Sequence, residues 1–186
     1  MSQFSKKEKQ ILLDIADKTI CYGLETRQLL EINLADFPEN LCKPGASFVT
    51  LEINHMLRGC IGSLLAYQPL IVDVCHNTFA AAFQDPRFSP LTKDEYPVLT
   101  KHISVLSKPE PIHFTSEEDL LSQIRPGVDG LILSDLGARG TFLPAVWESI
   151  PDPKLFLAHL KQKAGLPMDY WSDSIQVKRY ITEVIE

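Results

Sequence analysis

No stretch of this chain approaches eighteen unbroken apolar residues, the length a helix needs to cross a bilayer. The opening "MSQFSKKEKQ" carries lysines, but Asp14 and Asp17 interrupt the next turns of chain, so the apolar core of a secretory signal is missing. Basic residues are outnumbered. Lys and Arg total 18 against 24 Asp and Glu, a formal charge of −6. That balance argues against general binding to nucleic acid or anionic membrane, while a local basic groove stays open. The four cysteines, Cys21, Cys42, Cys60 and Cys75, make no C-x-x-C pair and no zinc-ligand spacing, and the histidines are not clustered. "GARG" lacks the lysine and spacing of a phosphate-binding loop. The expectation is a cytoplasmic protein with free thiols, no metal and no cofactor.

What is present suits a real core. Hydrophobic residues are 45% and charged residues 23% of 186, as in one globular domain or two closely fused lobes. Ser5 and Glu8 have capping-box spacing, and Ile11, Leu12, Ile15, Ala16, Thr19 and Ile20 fall on one face, which predicts a helix over about 5–22 ending at Gly23. "SFVTLEIN" alternates like a strand, with a turn at His55–Met56 and "LRGCIGSL" returning. Pro69 suits the start of a helix striped by Ile71, Val74, Cys75, Thr78 and Ala82, stopped by Asp85–Pro86. "HISVLS" reads as a strand, and Ser116 or Thr115 caps a helix to Ile124. "LILSD", "LGARG" and "TFLPAVW" read as strand, turn and strand. Asp152–Pro153 opens a helix through Lys163, closed by Gly165, with Lys161 and Lys163 solvating its end. "SIQVKRYITEVI" reads as a terminal strand.

Strands in neighbouring pairs predict a largely antiparallel sheet and an α+β fold. "SFVTLEINHMLRGCIGSL" also echoes "DGLILSDLGARGTFLPAV", with Arg58–Gly59 set on Arg139–Gly140. The echo suggests two related hairpins and an internal duplication.

Seven phrases in order, "FVTLEI", "LRGCIGSL", "AAFQDPRFSPL", "ISVLS", "PGVDGLIL", "RGTFLPAVWE" and "LKQKAG", resemble the AMMECR domain family, component A of the AmmeMemoRadiSam system. The likeness runs over about 45–186 of a single AMMECR-like domain. It implies a mixed fold with two unequal lobes, a curved, mainly antiparallel sheet with flanking helices, and an internal repeat. It also implies partnership with Memo-like and radical-SAM proteins, without naming a reaction. Two departures stand out: "INHML" lacks the acidic–glycine turn of relatives, and Gln162 stands where they often carry cysteine, which argues against a required thiol there.

The candidate site centres on "LRGCIGSL". Cys60 reads either as a nucleophile or redox thiol helped by the charge of Arg58, or as a small buried residue beneath a glycine-rich bend. Gly59 and Gly62 would let a substrate or backbone approach. Arg87, in "QDPRF", reads as an anion grip or as half of an Asp85–Arg87 pair pinning the loop. Arg139 sits on the second glycine-flanked turn, with Asp135 and Glu148 as conceivable partners. Arg58, Arg87 and Arg139 around one thiol would make an anion-receptive cleft for a small or peptide-like substrate. No histidine is fixed as a base for Cys60. The rival reading is a non-catalytic adaptor that recognises a protein segment or nucleic acid.

Overall fold

The Ser5 hydroxyl accepts from the Glu8 amide at 3.2 Å and the Glu8 carboxylate accepts from the Ser5 amide at 2.7 Å, a complete capping box. It opens α1 (Lys6–Thr26), which runs past Gly23 to a left-handed cap at Arg27 (φ 60°). Gly23 is a packing position instead: a Cβ there would lie 2.3 Å from the Phe83 ring. The computed structural model describes residues 2–186. They form two compact units, one reaching to Leu106 and including Glu183–Glu186, the other Ser107–Thr182.

In the first unit a short helix, α2 (Glu39–Cys42), leads into β1 (Pro44–Ile53) and β2 (Met56–Gly62). The turn is Asn54–His55, both at positive φ, which is the primed geometry that matches strand twist; Met56 therefore already belongs to β2. A brief β3 (Gln68–Pro69) pairs with the start of β1, and Pro69 delivers the chain to α3 (Leu70–Phe83). Then come β4 (Leu99–Leu106) and, from the chain's end, β9 (Thr182–Ile185), giving the order β2-β1-β4-β9. Alternation along β1 buries Ser47, Val49 and Leu51 on one face. The predicted stripe of α3 is buried, and Val49, Leu51, Ile71, Val74, Leu12, Ile20 and Ile103 make a continuous core. Each such Val, Leu or Ile contributes about 1.5–3 kcal/mol by leaving water. The buried Asp73 accepts from the Ser47 amide and hydroxyl at 2.8 and 2.7 Å, from Asn77 at 2.9 Å and from Gln68 at 3.1 Å, tying the first turn of α3 to β1 and β3.

The second unit contains β5 (Glu110–Pro111), α4 (Glu117–Gln123), β6 (Gly130–Asp135), β7 (Ala138–Phe142), α5 (Pro153–Lys163) and β8 (Gln176–Tyr180), with sheet order β5-β8-β6-β7. Ser116 and Asp152 cap α4 and α5. Three expectations are corrected. "TFLPAVW" leaves the strand at Phe142, and Pro144–Glu148 forms a 3-10 turn that stacks Trp147 on Phe156, ring centroids 3.7 Å apart. "SIQVKRYITEVI" is two strands in two different sheets. Lys161 does not solvate a helix end: it is 1% exposed and ion-paired with Glu117.

The hairpin echo extends to topology. The first unit's β1-β2-α3-β4 gives the antiparallel order β2-β1-β4, and the second unit's β6-β7-α5-β8 gives β7-β6-β8. Gly59 pairs with Leu51 and Gly140 with Leu133, each the third rung from its turn. A Cβ on Gly59 would lie 2.1 Å from the Ala81 carbonyl oxygen of α3, and one on Gly140 would lie 2.9 Å from the Ala164 nitrogen at the end of α5. The repeat therefore lets a helix press on the hairpin at equivalent glycines. The arginines before them are not equivalent. Leu51 pairs with Gly59 and Glu52 with Leu57, so Arg58 is the extra residue of a β-bulge, whereas Arg139 stays in register opposite Ser134.

Candidate functional site

β2 is an edge strand, and its bonding pattern decides what faces outward. The Ser63 amide donates to the Ser47 carbonyl, so along this antiparallel pair Cys60 falls at a rung whose amide and carbonyl point away from β1. Exposed edge groups of this kind need a partner. Asp85 and Arg87 supply it. The Cys60 amide donates to Asp85 Oδ2 at 3.0 Å, and Arg87 Nη2 donates to the Cys60 carbonyl at 3.2 Å. The same guanidinium grips Asp85 through Nε at 3.0 Å and Nη2 at 2.7 Å, and the Arg87 amide adds a bond at 3.1 Å. The phrase "DPRF" is thus a turn, closed by the Phe88 amide on the Asp85 carbonyl, whose side chains stand in for a neighbouring strand on the free edge of β2. The Asp85 side chain is 2% exposed and that of Arg87 53%. Hydrogen bonding from Arg87, then from the Cys60 amide, holds the Asp85 carboxyl well below the usual carboxylate range; the same contact raises Arg87.

The bulge turns Arg58 toward Glu95. Its Nε and Nη2 donate to the two Glu95 oxygens at 2.7 and 3.1 Å, and Nη2 also reaches the Ser89 carbonyl at 2.9 Å. Arg58 Nη1 is buried with no hydrogen-bond partner among the described residues. Both guanidiniums lie over the Phe88 ring, at 5.7 Å for Arg58 and 5.5 Å for Arg87. Arg58, then Thr92, lowers the Glu95 carboxyl to about 2.

Cys60 is a partly exposed free thiol. Its sulfur lies 3.3 Å from Thr50 Oγ1. Thr50 pairs directly with Cys60 on one side and His102 on the other, so the three form one row across β2, β1 and β4. His102 in turn contacts Glu186 at 2.9 Å and Glu52 at 3.5 Å. Thr50 stands between imidazole and sulfur.

The glycines have structural occupants. Gly59 accommodates the Ala81 carbonyl, and the Phe48 ring covers Gly62, where a Cβ would sit 2.2 Å from a ring carbon. The close approach, expected of a substrate or of backbone, is made by the protein itself, by backbone at Gly59 and by an aromatic ring at Gly62. Arg139 belongs to the second unit. It is exposed, without an ion pair among the described residues, because Asp135 takes hydroxyls from Tyr170, Ser172 and Ser174. These bonds, Ser172 foremost, lower the Asp135 carboxyl. Among the described residues no cluster of three His, Cys, Asp or Glu side chains is placed to hold a metal ion. Sequence reasoning missed Glu95, Thr50 and His102; the strand registers that bring the last two beside Cys60 leave no local motif.

The AMMECR1 family model matches residues 13–185. The chain belongs to the AMMECR1 family. A Thermofilum pendens protein is 34% identical over 99% of this chain and 92% of its own length. A Methanothermobacter thermautotrophicus protein is 36% identical over 97% of this chain and 94% of its own. Among solved structures, that of uncharacterized protein PH0010 from Pyrococcus horikoshii superposes with a TM-score of 0.90 at 32% identity, covering 98% of this chain and 93% of that one. The resemblance to the AMMECR domain family is therefore a family relationship, and the mixed helix and antiparallel-sheet architecture is that of a solved relative.

Proposed function

We propose that this AMMECR1-family chain is a binding module whose recognition surface is the β2 edge around Cys60, Arg87 and Phe88, working with Memo-like and radical-SAM partners. The observation that carries this reading is the internal neutralisation of the cations: Glu95 takes Arg58 and Asp85 takes Arg87. An anion-gripping catalytic pocket would hold those guanidiniums free for its substrate. Here they support a surface on which the exposed half of Arg87 and the Phe88 ring are offered to a protein segment. The test is co-purification with Memo-like and radical-SAM proteins from the same organism. Phe88→Ala should weaken capture while Cys60→Ser preserves it; capture unchanged by Phe88→Ala removes the reading.

A second reading, a thiol-dependent enzyme, is favoured by the row Cys60–Thr50–His102. In it Cys60 is nucleophile or redox thiol and His102, set by Glu186, delivers or removes a proton through a bound substrate or water. Loss of cellular function in Cys60→Ser, together with iodoacetamide alkylation of native protein slowed by His102→Gln, selects this reading over the first.

A further inference from the structure

The second unit holds a feature that the β2 surface does not explain. A cavity of about 330 Å³ opens at the β6–β7 turn, lined by Ser134, Asp135, Leu136, Arg139, Ser174 and Gln176 among others. Ser134 pairs with Arg139 on β7 and with Gln176 on β8, so three polar side chains stand in one row across adjacent strands. Strands lie about 4.8 Å apart, which puts the outer two about 10 Å from one another with Ser134 between. Among the described residues none of the three side chains has a hydrogen-bond or ion-pair partner within the protein. That sets Arg139 apart from Arg58, Arg87, Arg125 and Arg179, each paired with an acid. Lys178, two residues beyond Gln176, projects from the same face of β8 and adds positive charge. Asp135 also lines the cavity, but it points to the other face of β6 and its oxygens are taken by three hydroxyls.

The turn supplies the second observation. Leu136 sits at φ 45° and is 87% exposed. A bulky residue in the left-handed region is disfavoured, and this one recovers nothing by burial in the protein. Leu136–Gly137 is the two-residue primed turn of this hairpin, as Asn54–His55 is of the other, and its exposed leucine provides an apolar shelf beside the cavity.

The geometry points to this cavity as a binding site for a small phosphate monoester with a flat apolar body. The Arg139 fork, the Ser134 hydroxyl and the Gln176 amide come from three adjacent strands and approach from three sides, which suits the tetrahedral spread of a phosphate's three terminal oxygens better than the planar pair of a carboxylate. Leu136 covers the body. The cavity is at the small end of ligand sites, about 300–1,000 Å³, which fits a single ring and phosphate. The site is independent of the β2 surface, so either assignment can fail alone.

Titration of the full chain with phenyl phosphate, inorganic phosphate and benzoate, monitored by amide NMR, tests it. Phenyl phosphate should shift the amides of 134–139 and 174–176 and bind at least tenfold tighter than benzoate. Arg139→Gln should weaken phenyl phosphate at least tenfold with the remaining spectrum unchanged. Leu136→Asn, which suits positive φ, should weaken phenyl phosphate severalfold and leave inorganic phosphate unaltered. Equal binding of benzoate, or affinity indifferent to Arg139→Gln, overturns the assignment.

Discussion

Asp85 Oδ2 receives the amide of Cys60 at 3.0 Å, although 25 residues separate them. This bond joins the two most distinctive phrases of the chain, "LRGCIGSL" and "DPRF", into one structural unit. The arginine of the second phrase completes the arrangement by bonding the Cys60 carbonyl.

Asp85→Asn should therefore destabilise the first unit. The amide keeps one acceptor, loses the charge held by Arg87 and presents N–H groups where acceptors are needed. The cost should be about 1.5–3 kcal/mol, the range for hydrogen bonds to charged groups. Urea unfolding measures it, and hydrogen exchange should show the Cys60 amide exchanging faster. Arg87→Lys, which keeps charge but loses the fork, should cost less.

Gly59→Ala should be worse tolerated than its size suggests. The new methyl would meet the Ala81 carbonyl at 2.1 Å, and backbone cannot swing aside as a side chain would. Overpacking of this kind costs about 1–3 kcal/mol. Gly137→Ala meets no atom within 4 Å and is strained only by its φ of 90°, so it isolates the conformational cost. Thermal unfolding of both variants should show the larger drop at Gly59.

Acid should weaken the first unit through Glu95. Its carboxyl is lowered from its usual value to about 2 by Arg58. The depressed value means that the folded state holds the charged form more tightly than the unfolded chain does. The stabilisation is complete above the unfolded value and fades as pH falls through about 2. Asp85, lowered in the same sense, adds to the loss. Stability measured between about pH 5 and pH 2 should decline less steeply in Arg58→Met than in the unsubstituted protein.

How much of this was legible depends on the range of each interaction. The Ser5–Glu8 box, the Asp152–Pro153 start and the stripe of α3 are local patterns, and all appear in the fold. The echo between hairpins was legible because Arg–Gly recurs, and it extends to a repeated β-β-α-β order. The site was less so. Arg58 and Arg139 look alike in sequence, yet the bulge puts one against Glu95 while the other stays in register, and no local pattern announces a bulge. Glu95 lies 37 residues from Arg58, and His102 reaches the Cys60 row only through the pairing of β1 with β4. The split of the last phrase between two sheets was hidden for the same reason: β8 and β9 are nearly continuous in sequence and differ only in their distant partners.

Lys161 offers the sharpest contrast between a residue's type and its place. It is 1% exposed, its ammonium pairs with Glu117, and it lies 5.5 Å from the centre of the Trp171 ring. A buried pair is costly to break from one side and cheap to replace by an apolar group of similar volume. Glu117→Gln should lower stability, by less than the roughly 3–5 kcal/mol of a fully buried pair because Glu117 is 39% exposed. Lys161→Met keeps the stem volume and removes the buried charge, leaving behind a Glu117 that is 39% exposed and can rehydrate, so it should cost less than Glu117→Gln. Urea unfolding of both variants checks the order. If Lys161→Met proves the more damaging, the ammonium contributes through Trp171 and Glu117 together, and a double-mutant cycle between positions 117 and 161 should then give a coupling above about 0.5 kcal/mol.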